Sequence, residues 1–146
     1  MKKQNNNSIA IKGIRVLNFA LNPRPDLGDT PVKIDYEIKI ESKTRVNAAK
    51  KLIFIVTSVQ FIDKGKQDAM ASIDVAISFE IENFSEVATE LKSKRYDIER
   101  NLSRKLTSVS MDTVRGITFA YFRGSYIDTI FIPMIEDDNL LELEDK

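Results

Sequence analysis

Any chemistry in this 146-residue chain falls to Asp, Glu, Lys, Arg, Tyr, Ser and Thr, because it contains no histidine and no cysteine. Without imidazole or thiol there is no Ser-His-Asp or Cys-His nucleophile and no zinc site of the usual ligands. Disulfides are excluded as well. Among the 22 acidic residues, paired carboxylates at i, i+2 spacing occur on the second and fourth strands, Asp35 with Glu37 and Glu80 with Glu82. Each pair shares one face of a strand, so an acidic patch forms if the strands lie close. Glycosidase-type catalysis would also need a deep cleft between two carboxyls, and no pattern here supplies one. The five glycines are scattered, with no phosphate-cradling spacing. Asp26, Asp29, Asp137 and Asp138 are too sparse for a calcium loop. A basic stretch, Lys92, Lys94, Arg95, Arg100, Arg104 and Lys105, is interleaved with Glu90, Asp97 and Glu99 and has only Tyr96 for stacking. It reads as a solvated face rather than a nucleic-acid site. The expectation is a protein that is not an enzyme, with no catalytic residue, metal, cofactor or nucleic-acid partner.

The elements that carry these residues are punctuated by few breakers. All four prolines lie outside residues 32–132, and Asn22-Pro-Arg-Pro-Asp-Leu-Gly-Asp-Thr-Pro31 is a loop on turn chemistry alone. Before it, residues 9–21 alternate with a switching phase, which predicts a strand with a bulge or bend near Gly13. After it, Val32, Ile34, Tyr36, Ile38 and Ile40 alternate with Lys33, Asp35, Glu37, Lys39 and Glu41, a strand with one wet face. Leu52–Ile62 is apolar on both faces and predicts a strand buried on both sides. Residues 69–82 alternate again, after an Asp63-Lys64-Gly65-Lys66 turn. Beyond Asn83 the period becomes helical, through Leu102, Leu106, Val109, Val114, Ile117 and Tyr121, with Gly124 as a stop. Ser110 or Asp112 is placed to cap a second helical piece. Residues 126–135 read as extended and apolar.

The fold class is therefore α+β: a four-stranded antiparallel sheet followed by C-terminal helices. Residues 1–8 are expected to be a flexible N-terminus, 9–135 a single domain, and 136–146 an acidic tail with six acids against one lysine. The lysines at the start are not followed by an apolar signal core, and no run is long enough for a membrane span, so the cell interior is the expected location. One helical layer cannot bury both faces of such a sheet. The surplus of Phe, Ile and Tyr must enter an oligomer interface, a ligand groove, or both.

In order along the chain, these features resemble the SecB export-chaperone family. The resemblance is carried by Ile11 to Arg15, Phe19 and Pro23-Arg-Pro25, by the strands VKIDYEIKIE and LIFIVTSVQF, and by Val114-Arg115-Gly116-Ile117-Thr118, Arg123-Gly124-Ser125 and Pro133. Gly116 stands where that family has Glu, and Met134-Ile135 replaces its Asn-Phe end. The resemblance implies an ATP-independent chaperone that binds unfolded polypeptide in apolar grooves and assembles as a dimer of dimers. It implies either protein export, with clients handed to SecA through an acidic sheet face, or service to an antitoxin beside its toxin. Asp35, Glu37, Glu80 and Glu82 are the residues for such an acidic face. The expected groove residues are Phe54, Phe61, Ile127, Ile130 and Phe131; those of the oligomer interface are Val114, Ile117, Phe119, Tyr121 and Phe122. The alternative reading is an oligomeric interaction module with one dedicated folded partner and no catalysis.

Overall fold

A computed structural model describes residues 8–23, 34–128, 130 and 132–134. Strand β1 (Ile9–Leu21) is followed by β2 (Tyr36–Asn47), β3 (Leu52–Asp63) and β4 (Asp68–Ile81). A single helical turn, α1 (Phe84–Val87), leads into a small hairpin of β5 (Ala88–Glu90) and β6 (Tyr96–Ile98). The long helix α2 (Arg100–Phe122) closes the regular structure. The four long strands form one antiparallel sheet in the order β1-β4-β3-β2. Three strands run as a meander while β1 crosses to pair with the last of them, so the sheet has the strand order of a Greek key.

Local chemistry explains each corner. Asn47 accepts a hydrogen bond from the Lys50 amide at 3.3 Å across the first turn, where Lys51 takes a left-handed conformation at φ 57°. At the second turn, Asp63 Oδ1 accepts from the Gly65 and Lys66 amides at 2.8 and 3.2 Å. At the start of α2, Glu99 accepts from the amides of Asn101 and Leu102, satisfying two of the orphan donors of the first turn. Gly124, at φ 81°, lies just past the helix end, where a residue with a Cβ would be strained.

β1 is held in phase by two irregularities rather than one. Its register against β4 shifts between Ile11 and Gly13 and again between Val16 and Asn18. Each shift inserts one residue and reverses the facing. Ile9, Ile11, Ile14, Val16, Phe19 and Leu21 consequently stand opposite Ile81, Phe79, Ile77, Val75, Ile73 and Ala71. All six point to the α2 side, although their spacing in sequence becomes three across each bulge.

Four expectations are corrected. β2 begins at Tyr36 and runs to Asn47, past the apolar alternation that ended at Glu41. Its last six residues are polar but for Val46, and the ladder with β3 holds them. β3 is not buried equally on both sides: Ile53, Ile55, Val59 and Phe61 are fully covered, whereas Phe54 and Val56 on the other face are half-buried. α2 is one continuous helix, so no second cap forms at Ser110 or Asp112. The stretch after Gly124 turns through residues 125–128 rather than continuing as a strand.

α2 packs over β3 and β4. Leu102, Leu106, Met111, Val114 and Phe122 meet the covered faces of those strands, forming the core. The C-terminal segment completes it with Ile127, Ile130 and Ile132. Arg115 fixes that segment: its Nε donates to the Ile132 carbonyl at 3.0 Å and its Nη2 to the Pro133 carbonyl at 2.9 Å. Asp112 accepts from Nη1 at 2.8 Å and holds the guanidinium in place.

Candidate functional site

A helix is about 10 Å across and strands are about 4.8 Å apart, so one helix covers roughly two strands of four. The C-terminal segment adds cover of its own. β1 receives much less. Ile11 and Ile14 are each 48% exposed, Leu17 56% and Phe19 36%. Ile11, Ile14 and Phe19 share the α2 side of the sheet, and Leu17 is the inserted residue of the second bulge.

The facing wall comes from α2. Val109, Thr113 and Ile117 follow one another at i+4 spacing, all half-buried, and Tyr121 ends the row at 47% exposure. That row borders β1, because the Tyr121 ring lies 4.9 Å from the ring of Phe19. Phe19 also contacts Phe122 at 5.3 Å, and Phe122 meets Phe61 edge-on at 5.3 Å. A chain of four aromatic rings thus runs from the core to the surface, anchoring the mouth of an apolar strip. The strip is hydrocarbon apart from the hydroxyls of Thr113 and Tyr121. Its chemistry is that of contact with other apolar groups.

The expected groove residues are dispersed. Phe61 and Ile127 are completely buried and Ile130 nearly so, all within the core. Phe54 lies on the opposite face of the sheet from Phe61, as an odd spacing on one strand requires. Phe131 lies outside the described residues. Of the expected interface set, Val114 and Phe122 are core residues, Ile117 is half-buried, and Phe119 and Tyr121 are 54% and 47% exposed. Helical spacing puts Phe119 on the far side of α2 from the sheet. Ile11, Ile14 and Leu17 were not among the expected residues. The signal that finds them is the switching phase of β1, read as two bulges instead of one.

The two acidic pairs do not form one patch. Glu37 stands opposite Ile62 of β3, and Glu80 opposite Leu52. These positions are ten residues apart on one strand, or about 33 Å. Glu80 lies 3.6 Å from Lys12 and shares a depression with Glu82, Lys50 and Lys51. Asp35 contributes a main-chain carbonyl to the Lys64 amide at 3.0 Å. The open sheet face also holds a polar concavity of about 240 Å³ bounded by Lys39, Glu41, Ser58 and Asp74.

No family model matches the chain, and no curated protein sequence does. Among solved structures, the fold is similar to that of the Mycobacterium tuberculosis Rv1957 SecB-like chaperone, seen in complex with a ChAD peptide from the Rv1956 HigA1 antitoxin. The TM-score is 0.53 and the identity 13%, covering 87% of this chain and 90% of that one. A protein of unknown function from Streptococcus agalactiae aligns over 89% of this chain and 98% of its own, with 15% identity and a TM-score of 0.37. The first of these shows a SecB-like fold. At that identity the likeness is one of architecture.

Proposed function

With a SecB-like fold as the premise, we propose that this protein is a chaperone that captures non-native polypeptide, an antitoxin segment among its clients, and does so without nucleotide. The observation that carries this reading is the uncovered strip of Ile11, Ile14, Leu17, Phe19 and Tyr121. Side chains of this kind, presented on a stiff strand with no convergent polar groups, bind many apolar sequences rather than one shaped ligand. The peptide held by the Mycobacterium tuberculosis chaperone supports a polypeptide as the thing bound. Copies assemble through β1, which among the described residues is an edge strand with β4 on one side only, so its outward main-chain groups are available along thirteen residues. Pairing along that edge sets two strips side by side and lengthens the surface offered to a client. A dimer of dimers built on such pairs is the assembly we propose. Transfer to SecA through an acidic face is not part of it, because the acidic pairs are far apart.

The test is suppression of light scattering by an unrelated client as it unfolds, with Ile14→Ser and Tyr121→Ser as variants. Both positions are about half exposed, so each change should alter stability by no more than about 1 kcal/mol. Capture should nonetheless fall several-fold, since aromatic and apolar anchors dominate such contacts. Full activity in both variants would overturn the assignment of this strip. Inactivity of the unaltered protein toward every unfolding client, with tight binding to one folded partner, would favour a dedicated interaction module.

A further inference from the structure

The sheet face turned away from α2 is divided by charge. One cross-strand row runs Arg45, Phe54, Ser78, Gly13; the next runs Lys43, Val56, Ala76, Arg15. Arg45 and Lys43 on one edge and Arg15 on the other therefore bracket the half-buried Phe54 and Val56. Nothing larger than serine stands on β4 between them, and an added Cβ at Gly13 would come within 3.1 Å of Ser78 Oγ. The surface is low along β4, beside the raised Phe54 and Val56 of β3, and cationic on both outer strands. Among the described residues these three cations make no hydrogen bond or ion pair, whereas Lys12 is committed to Glu80. The acids Glu41 and Asp74 lie one row further on, beside Ser58, and bound the cationic zone.

We propose that this saddle docks residues 136–146 of the chain itself. That segment, Glu-Asp-Asp-Asn-Leu-Leu-Glu-Leu-Glu-Asp-Lys, has the complementary pattern: six acids, one lysine, and leucines at 140, 141 and 143. In an extended conformation Leu141 and Leu143 share one side and Glu142 and Glu144 the other. The leucines meet Phe54 and Val56, and the long side chains of Arg45, Lys43 and Arg15 reach up past the segment to the acids on its outer side. The length is sufficient. Described structure ends at Met134, beside the Pro133 carbonyl that Arg115 holds. Leu141 is seven residues past Met134, a reach of about 24 Å, and the way round the β2 edge to β3 is about 7 Å across, about 10 Å down from the helix layer and about 5 Å back. The segment therefore clears the sheet edge, from its own copy or a neighbouring one. Contacts between exposed charges are screened by salt, so the docking is reversible and sensitive to ionic strength.

The absence of cysteine allows one to be introduced as a unique label. Asn139→Cys in the full chain, carrying a nitroxide, should broaden the amide resonances of Lys43, Val56 and Ala76 at low salt. The broadening should vanish in Lys43→Glu/Arg45→Glu, whose remaining spectrum reports that the fold is intact. It should also vanish near 0.5 M salt, where the Debye length falls to about 4 Å. Broadening centred on Ile14 and Tyr121 would overturn the proposal by placing the segment on the α2 side. So would the absence of broadening on any sheet amide, or broadening that survives the charge reversal.

Discussion

Phe54 and Phe61 are the same residue type on the same strand, and the structure gives them different physical roles. Phe61 is completely buried and meets Phe122 edge-on, so removing its ring leaves a cavity between sheet and helix. Phe61→Ala should cost about 3–5 kcal/mol. Phe54 is half-buried on the open face, where water already reaches the ring. Phe54→Ala should cost about 1 kcal/mol. Denaturant unfolding of the two variants checks the contrast, and equal losses would mean that both faces of β3 are dry. The sequence makes both residues apolar but does not say which face a helix will cover. Parity along β3 separates them into two sets; which set is inside depends on where α2 lands. The same gap explains the groove assignment: Phe61, Ile127 and Ile130 are conspicuous in the sequence because they are large and apolar, which is also why they fill the core.

Among the elements, β1 depends most on its irregularities. Its inserted residues keep Ile14, Val16, Phe19 and Leu21 on the α2 side despite the change of phase. Deleting Leu17 removes the second insertion and leaves Val16, Asn18, Phe19 and Leu21 in regular alternation, with their facing unchanged. Adding one alanine after Leu17 instead turns Phe19 and Leu21 toward the open face, unless the whole strand slips. Since Phe19 joins Tyr121 and Phe122, the insertion variant should lose those ring contacts and melt well below the parent, whereas the deletion variant keeps them. Circular dichroism melts and the tyrosine near-ultraviolet signal check this; an unchanged signal in the insertion variant would show that β1 absorbs a further residue without changing phase. The strands were largely legible, because alternation, proline and the Asp-Lys-Gly turn are local signals. The end of β2 was not, because residues 42–47, polar but for Val46, are strand only by pairing with β3. The return of residues 125–134 onto α2 was also hidden, since it rests on Arg115 donating to carbonyls seventeen and eighteen residues away.

For the whole molecule, the α+β class and the four-stranded antiparallel sheet followed from counting elements in the sequence, as did the mismatch between one long helix and four strands. That mismatch is where the molecule meets others. Assembly through β1 should yield even-numbered species by native mass spectrometry at micromolar concentration. A proline at Arg15 should reduce them, because it removes a main-chain donor on that strand. Only a 16.6 kDa species from the unaltered protein would exclude the assembly.

The pairing of β1 with β4 also sets a timetable for synthesis. Ile9 finds its partner at Ile81, so the first strand leaves the ribosome long before its neighbour exists. At about 5–20 residues per second the interval is on the order of 4–14 s. During it the six apolar residues of β1 have no sheet to join. Ile127, Ile130 and Ile132, which complete the core, come later still. Every nascent copy therefore passes through an interval in which it is itself an unfolded polypeptide with an apolar strand on offer. A finished copy presents the kind of surface that such a strand would seek.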